Sequence, residues 1–424
     1  MRIKFLFFTF CALMFVSVLN AQNSTSSPYT RYGLGLLETN TFGRGQSMGG
    51  SGIALRSNKT INPSNPAAFS AIDTLSQIFE FAFSGQLSQF KAGNLTQYNN
   101  DVNFSYLGMA FPISRNIGVS LGARPMSNVG YNYYTEEDLA NIGVTKILYS
   151  GSGGVTNAFI GASAKLFKYL SLGANLEYLF GQVSHDRIET FPDNWEYSDF
   201  YSYEKLSVNA LHYVLGLQCA IPINDQNKII IGGTYEFKTS LNAKQDLLEQ
   251  VNIKNPNTNS VLVTRTLESN LNKPIGMEMP EAYGVGLAYE IKNKLTVTGE
   301  YKLQNWSKSE FYNVTDTLGN KTRISAGIEY IPNFIDRNYF KRVEYRLGGF
   351  YSSNYITGLG EDLYNFGMTF GLGLPLRYEK TRFNIAFELG QMKSSGGSLI
   401  SESYGKITIN FSFNDYWFFR RKLE

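Results

Sequence analysis

The sequence predicts an all-β fold: a transmembrane antiparallel β-barrel of about fourteen strands, preceded by an N-terminal segment of a different kind. Three observations lead to this prediction. Apolar and polar residues alternate with period two in one segment after another from residue 76 onward. The connections between these segments alternate between short and long. Beyond the N-terminus, no stretch approaches the roughly 18 consecutive apolar residues that a membrane-spanning helix needs.

Residues 1–21 have the features of a secretory signal peptide. A basic start precedes the apolar run FLFFTFCALMFVSVL, and Ala21 supplies the small residue at the expected cleavage site. A transmembrane helix is the alternative, but the run is too short and no stop-transfer pattern follows it. Cleavage would remove Cys11 and leave Cys219 as the one cysteine, so no disulfide framework is expected.

The composition favours a membrane sheet and gives no support for a nucleic-acid partner. Lys and Arg total 38 against 35 Asp and Glu, which is a nearly balanced charge. Charged residues make up 17% of the chain, below the roughly 25% that is usual in soluble proteins. Aromatic residues reach 15%, and such residues form girdles at the two interfaces of membrane barrels.

The alternation is clear in YGKITINFSF, residues 404–413. Ile407 and Ile409 point to one face of the predicted strand, and Lys406 and Thr408 point to the other. Each such segment is about as long as a tilted strand that crosses a bilayer. The predicted strands are 76–90, 101–113, 116–128, 155–167, 169–184, 204–222, 227–239, 281–292, 294–304, 321–332, 342–353, 362–376, 381–391 and 402–413.

The connections indicate how the barrel is oriented. Short turns are predicted at 114–116, 168–169, 224–227, 292–294 and 377–380, with a longer one at 333–341. Long loops are predicted at 91–100, 129–154, 185–203, 240–280, 305–320, 354–361 and 392–401. Outer-membrane barrels have short periplasmic turns and longer extracellular loops. The predicted location is therefore the bacterial outer membrane, with both termini in the periplasm because the strand count is even.

A soluble β-sandwich would show the same alternation, with the apolar faces in its core. Strand length, loop asymmetry and aromatic content favour the barrel, whose polar faces would line a lumen. The candidate lumen-lining residues are Glu177, Glu236, Glu300, Lys302, Glu329, Arg346, Arg382 and Glu388. These charges could form a polar conduction path. The simpler interpretation, which we favour, is that the acids pair with Lys165, Lys302, Arg346 and Arg382 and fill the barrel.

The sequence predicts no enzyme, no cofactor and no metal site. GVSLG at 118–122 fits a nucleophile-elbow pattern, but it lies in an alternating strand rather than at a strand–turn–helix junction. The two histidines are His185, in a predicted loop, and His212, on the polar face of a predicted strand. They form no ligand cluster with cysteine.

Residues 22–75 do not suit a strand or a helix. A glycine-dense run at 43–57 is followed by INPSNPAAF at 61–69. Asn-Pro pairs initiate turns, and each proline removes a backbone donor. A compact segment of this kind can fold inside a lumen, because lumen polar groups can bond its backbone. The alternative is a disordered lead-in to the barrel.

Two short motifs carry a resemblance to the FadL/OmpP1/TodX family of outer-membrane barrels. GGSGIA at 49–54 and Asn65–Pro66–Ala67 match the glycine-rich and Asn-Pro-Ala elements of that family's N-terminal hatch, although LRSNKTI at 55–61 replaces the family's polar link. SPYTRYGLGLLE and the C-terminal NDYWFFRRKLE look like the variant found in Bacteroidota. The implied hatch motif comprises Gly49, Gly50, Gly52, Asn62, Pro63, Asn65, Pro66 and Ala67.

The resemblance implies a division into a signal peptide (1–21), a hatch (22–75), a barrel (76–413) and a periplasmic tail (414–424). It also implies an uptake channel for small hydrophobic molecules that is gated by the hatch. The alternative is a non-transporting barrel that is a subunit of a larger outer-membrane assembly or secretion complex. Expected partners are outer-membrane lipid, a small hydrophobic ligand and other outer-membrane proteins. An apolar pocket walled by 129–154 and 240–280 would favour transport, whereas loops used for docking would favour assembly.

Overall fold

A computed structural model describes residues 25–416, except 141, 193, 195, 255–260, 313–317, 358–359 and 377–380. The predicted signal peptide and most of the predicted C-terminal tail lie outside these residues. The described helices are short: α1 is Gly43–Gln46, α2 is Tyr339–Arg342, and 3-10 turns occupy Pro28–Arg31, Pro66–Ala71 and Trp306–Lys308. Within the described ranges, none of the helices has the length and apolar character needed to cross a membrane.

Antiparallel strands make up most of the described chain, as the alternation predicts. In chain order they are β1 Leu36–Leu37, β2 Ser76–Ala92, β3 Leu95–Pro112, β4 Ile117–Leu139, β5 Gly143–Lys165, β6 Leu170–Thr190, β7 Asp199–Pro222, β8 Asn227–Glu236, β9 Thr239–Ser240, β10 Asn242–Lys254, β11 Val261–Ile275, β12 Glu278–Met279, β13 Ala282–Ile291, β14 Leu295–Gln304, β15 Lys321–Tyr330, β16 Glu344–Ser353, β17 Leu363–Pro375, β18 Arg382–Ser394 and β19 Ser401–Tyr416.

Fourteen of these strands close into a barrel, namely β2–β8 and β13–β19, and they correspond to the fourteen predicted strands. Each strand pairs with its neighbours in the chain, and β8 pairs directly with β13 from Ala282↔Glu236 to Ile291↔Asn227. The last strand, β19, pairs back with the first along its whole length, from Ser401↔Lys91 to Tyr416↔Ser76. Closure leaves no free sheet edge at the level of the barrel, which is the condition for a sheet to cross a bilayer.

The side-chain period explains which face points outward. In β13 the small residues Ala282 and Ala288 are buried in the interior, whereas Tyr283, Val285 and Leu287 are exposed on the outer surface. Exposed rows of this kind recur in the other barrel strands. They would be unfavourable in water, but they suit contact with lipid tails. The apolar face of each strand is therefore the outer face, as predicted for a membrane barrel.

The prediction of long loops at 91–100, 129–154, 185–203 and 240–280 was wrong, because most of these residues extend the strands. Strands β4–β7 contain 23, 23, 21 and 24 residues, against 10 in β8 and β13–β16. A tilted strand needs only about 9–11 residues to cross a bilayer. The backbone pairing continues beyond this length in hairpins. His185, predicted in a loop, accordingly lies in β6.

A raised sheet therefore continues one side of the barrel wall at the end away from the short turns. The raised sheet consists of the outer halves of β4–β7 together with β10 and β11. Strand β7 pairs with β8 at Val214–Pro222 and with β10 at Asp199–Asn209, so β10 takes over where β8 ends. Strand β11 pairs with β10, and thirteen of its fifteen side chains are exposed.

Residues 25–75 form a plug inside the barrel. Met48, Ala54 and Phe69 are almost completely buried there. The short strand β1 pairs with the barrel strand β4 through Leu36↔Asn128 and Leu37↔Ser127. The segment is therefore packed within the lumen and connected to the wall by backbone pairing, as the glycine and proline pattern predicts.

Glycines in the wall let the plug backbone approach closely. A Cβ atom added to Gly173 would lie 2.5 Å from the carbonyl carbon of Pro66. One added to Gly232 would lie 2.7 Å from the carbonyl carbon of Ile53, and one added to Gly348 would collide with the backbone nitrogen of Gly49. Real Cβ atoms essentially never make contacts this short. Wall and plug therefore meet backbone to backbone.

We expect Gly232→Ala to destabilise the protein by about 1–3 kcal/mol, because the added methyl group overpacks the contact with the plug. The matched control is Gly233→Ala in the same strand, where an added Cβ meets nothing within 4 Å. The free energy of unfolding in urea, measured on the folded barrel in detergent, tests this difference. Equal unfolding midpoints for the two variants would contradict the close contact.

Candidate functional site

The first Asn-Pro pair of the plug folds the glycine-rich run back on itself. The Asn62 side-chain Nδ2 donates to the carbonyl oxygens of Gly52 at 2.6 Å and Leu55 at 2.7 Å. Its Oδ1 accepts from the backbone nitrogen of Ser64 at 3.2 Å. An asparagine followed by Pro63 thus closes a turn whose carbonyl groups have no strand partner. These contacts of Asn62 lie within the plug, whereas the Pro63 carbonyl oxygen accepts from the wall residue Asn175 at 3.4 Å.

The second Asn-Pro pair joins the plug to the wall. Asn65 is fully buried, and its Nδ2 donates to the carbonyl oxygens of Ile53 at 2.8 Å and of Leu217 in β7 at 3.0 Å. Its Oδ1 accepts from the nitrogen of Ala67 at 3.1 Å, which caps the 3-10 turn that begins at Pro66. The two asparagines of the duplicated motif therefore have different roles, since the Asn62 side chain folds the plug and the Asn65 side chain joins the plug to the wall. The sequence pattern did not distinguish these roles.

The glycine-rich run meets the opposite wall. Gly49 and Gly50 have φ angles of +72° and +76°, a region that favours glycine. The Gly49 nitrogen donates to Thr369 Oγ1 at 2.8 Å, and its carbonyl oxygen accepts from Arg323 Nη2 at 2.9 Å. These glycines therefore supply both the turn and the wall contact.

Glu300 in β14 holds the middle of the same run. One of its carboxylate oxygens, Oε2, accepts from the backbone nitrogens of Gly52 at 2.7 Å and Ile53 at 2.8 Å. Two successive N–H groups that face one anion form a small anion-binding concavity. Here the anion is a carboxylate of the barrel itself, so a predicted lumen acid and a predicted hatch glycine form one contact.

A buried chain of alternating charges lies below this contact. Arg44 of the plug pairs with Glu329 at 2.7 Å, and Glu329 also pairs with Arg346 at 2.7 Å. Glu344 then joins Arg346 to Arg382, with 2.6 Å between its Oε1 and the Arg382 Nε. Such pairs offset the cost of burying charge only while the partners remain together. The network therefore opposes displacement of the plug.

The remaining predicted lumen charges also have partners within the barrel. Glu236 pairs with Lys302 at 2.5 Å. Glu388 accepts from the Tyr404 hydroxyl at 2.9 Å. Glu177 accepts from the Asn157 amide at 2.5 Å and lies 3.9 Å from Arg124. Lys165, which was expected to pair with these acids, is instead exposed near the short-turn end.

The plug divides the lumen into two cavities. The upper chamber, toward the raised sheet, has a volume of about 220 Å³ and includes Glu177, Glu236, Glu300, Lys302 and Glu388 in its lining. The vestibule, at the short-turn end, has a volume of about 870 Å³. Its lining includes the charged network on the underside of the plug. Neither cavity is the apolar pocket that would favour transport of hydrophobic molecules.

Apolar residues at the raised end are packed against one another. Trp306 and Tyr355 are fully buried and stack with ring centroids 4.6 Å apart. The Tyr355 hydroxyl donates to the carbonyl oxygen of Gly35 at 2.7 Å and accepts from the nitrogen of Leu34 at 3.0 Å. One buried cluster joins these residues to Met126, Val155, Leu179, Val208, Leu241, Met277, Met279, Phe311, Leu318 and Ile356. We call this buried cluster the apolar cap.

The GVSLG motif has a packing role. Its Gly118 lies against the carbonyl group of Phe69 in the plug. Ser120 is fully buried and donates to the carbonyl oxygen of Met109 at 3.1 Å. His212 bonds with Thr239 and lies apart from this serine in another strand. The described part of the chain contains no cluster of three or more His, Cys, Asp or Glu side chains suited to a metal ion.

Fold and plug together define an outer-membrane β-barrel with the architecture of FadL-like proteins. The chain belongs to the BamG family, whose model matches residues 1–424. No curated protein matches the sequence.

Several solved barrels share the fold at low sequence identity. The toluene transporter TbuX of Ralstonia pickettii aligns with a TM-score of 0.60 at 14% identity, over 88% of this chain and 98% of TbuX. The Pseudomonas putida toluene transporter TodX aligns with a TM-score of 0.59 at 15% identity, over 90% of this chain and 100% of TodX. A FadL homologue of Pseudomonas aeruginosa aligns with a TM-score of 0.55 at 12% identity, over 90% of this chain and 99% of the homologue. The likeness is therefore one of fold over nearly the whole described chain.

We expect Glu329→Gln to cost about 3–5 kcal/mol of unfolding free energy, because Arg44 and Arg346 lose the carboxylate between them. The matched control is Glu136→Gln on the raised sheet, whose exposed pair with Lys146 spans 3.1 Å. Exposed pairs contribute less than about 1 kcal/mol. Urea unfolding of both variants in the same detergent measures the difference. A loss for Glu329→Gln no larger than that of the control would contradict a stabilising network.

Proposed function

We propose that this protein is a permanently plugged outer-membrane barrel that serves as a subunit of a larger outer-membrane protein assembly. The observation that carries the proposal is the attachment of the plug to several sides of the wall. Asn65 bonds to β7, Glu300 of β14 holds Gly52, and Arg44 pairs with Glu329 of β15. A plug held in this way supports the proposal of a barrel that stays closed and that acts through the surfaces at its two ends.

Displacing the plug to open the barrel would break all of these contacts at once. The charges of Arg44 and Glu329 are buried, and separating them would leave each without its partner in a medium that solvates charge poorly. The backbone groups of Gly52 and Ile53 would also lose their shared carboxylate acceptor. These costs add to the loss of close packing at the wall glycines. A gating motion would need a ligand that compensates for them.

The chemistry of the lumen also supports a role other than hydrophobic uptake. Small-molecule sites are mostly apolar cavities of about 300–1,000 Å³. The upper chamber is smaller, at about 220 Å³, and charged groups are prominent in its lining. The apolar groups at the raised end form the apolar cap, where Trp306 and Tyr355 are already in contact with each other.

The raised sheet supplies the docking surface in this proposal. Val261, Val263 and Leu267 of β11 are 52%, 54% and 53% exposed. In the described part of the chain β11 pairs with β10 on one side, so its other edge can accept a further strand. Exposed apolar edge strands recruit extended segments of other chains. We propose that the occupant is such a segment of another outer-membrane protein.

The orientation in the membrane is part of the same proposal. Fourteen strands bring both ends of the barrel chain to the side of the short turns. Because outer-membrane barrels have their short turns in the periplasm, the vestibule would face the periplasm and the raised sheet the cell exterior. A partner on the raised sheet would then lie outside the cell or within the outer leaflet.

A second candidate function is the uptake channel for small hydrophobic molecules, with the plug as a gate. One observation favours it: the proteins that share this fold over nearly their whole length include the toluene transporters TbuX and TodX. At 14–15% identity the likeness extends to the fold and not to the lumen residues. The neighbouring structures are transport channels, and neither candidate function involves enzymatic catalysis.

We expect the tagged protein, extracted gently from native outer membrane, to co-purify with other outer-membrane proteins at fixed stoichiometry. A variant with Val261, Val263 and Leu267 changed to Ser should lose them, because the apolar edge is removed. Thr264→Ala with Thr266→Ala, on the same strand, is the matched control and should retain them. Native mass spectrometry measures the stoichiometry of the purified complex. A lone barrel in the unaltered protein would refute the assembly role.

We also expect the purified barrel to show no steady conductance in planar bilayers and no saturable toluene entry into liposomes, because the plug remains bonded. Known toluene channels reconstituted in the same way provide the positive control. Saturable toluene entry that depends on Asn65 would instead support the channel function.

A further inference from the structure

The vestibule carries an excess of positive charge. Ten of the side chains that line its volume of about 870 Å³ are cationic and six are anionic. The upper chamber differs, with five Lys or Arg residues and six Glu residues in its lining. The excess therefore belongs to one side of the plug and not to the lumen as a whole.

Most of the anions in the vestibule are already paired. The pairs are Arg44–Glu329 at 2.7 Å, Arg382–Glu344 at 2.6 Å, Lys228–Glu290 at 3.0 Å and Lys341–Asp336 at 3.0 Å. Asp73 accepts from the Asn58 amide at 2.8 Å. Among the described residues, the lining cations found in no ion pair include Arg56, Lys59, Arg115, Lys165, Lys292 and Lys294. Together with Arg342, these six side chains account for the excess.

Two of these cations lie on the underside of the plug, inside the lumen. Among the described residues, the Arg56 guanidinium donates to three uncharged acceptors, the Ala67 carbonyl oxygen at 3.0 Å, Gln218 Oε1 at 3.1 Å and Ser70 Oγ at 2.9 Å. Burial lowers the pKa of Arg56 to about 10, so it remains charged at neutral pH. Burial and the nearby Arg382 charge lower the pKa of Lys59. The barrel wall separates both groups from lipid headgroups.

The other four cations surround the mouth of the vestibule. Arg115 lies in the turn between β3 and β4, and Lys165 ends β5. Lys292 and Lys294 lie in the turn between β13 and β14. The charges thus come from several elements and do not converge on one point. A single small anion would meet one or two of them, whereas an extended chain with several carboxylates could meet them in succession.

We propose that the vestibule binds an extended, carboxylate-rich segment of a partner protein, which enters from the short-turn end and ends beneath the plug. The inference rests on the proposed function, because a plug that left the lumen would remove Arg56 and Lys59 from the site. Complementary charge of this kind guides encounter and selects partners.

The test uses the full-length barrel in nanodiscs of zwitterionic lipid and a fluorescent peptide of about ten residues rich in Glu. We expect saturable binding by fluorescence anisotropy that weakens as salt is added, since the attraction is electrostatic. The triple variant Lys59→Gln, Lys292→Gln, Lys294→Gln should weaken binding at least tenfold. The control Lys244→Gln, Lys273→Gln, Lys308→Gln removes the same charge from the raised end and should bind the peptide as the unaltered protein does.

Three outcomes would overturn the proposal. The vestibule triple variant could bind the peptide as tightly as the control variant does. Inorganic phosphate could displace the peptide at matched ionic strength, which would indicate a site for small anions. Anionic lipid in the nanodisc could abolish binding, which would indicate a headgroup site. If the peptide binds but the protein from native membrane is a lone barrel, the assembly role fails while the vestibule site remains.

Discussion

The plug backbone lies in direct contact with the barrel wall, and this contact sets the positions of the plug, the lumen charges and the two cavities. Gly173 and Gly348 have no side chain, so Pro66 and Gly49 can lie directly against the strands. At this distance the carbonyl and N–H groups of the plug reach side chains that project from the wall, such as Thr369. The contact divides the lumen into a small upper chamber and a wider vestibule. The two cavities therefore differ in the balance of cationic and anionic side chains that line them.

Irregular backbone at membrane depth is tolerated only where protein groups satisfy it. In this barrel the satisfying groups are themselves charged or amide side chains, including Glu300, Asn65 and Arg323. Their bonds are worth most when all partners remain in place, because an unpaired buried group pays its full desolvation cost. A lumen that is filled in this way favours a fixed plug, and any partner of the protein would then meet its two ends.

The same architecture can serve different purposes because a fold fixes the scaffold and leaves the lumen free to vary. This member of the BamG family shares its fold with TbuX and TodX at 14–15% identity. Its two ends differ from each other. The raised end has the apolar cap inside and the exposed apolar residues of β11 outside. The short-turn end presents a mouth with more cations than anions.

The fourteen strands could be predicted from the amino-acid pattern alone, since a side-chain period of two indicates which face of a strand meets lipid. It also indicated the plug, because Asn-Pro pairs and dense glycine suit neither strand nor helix. It failed at 129–154, where the regular alternation of apolar and polar residues ends although the backbone pairing continues. The pairing of Glu329 with Arg44 and the packing of Gly118 on Phe69 could not be predicted from the sequence and are seen only in the folded barrel. Those contacts depend on the stagger of the closed barrel, which brings together residues that no local pattern relates.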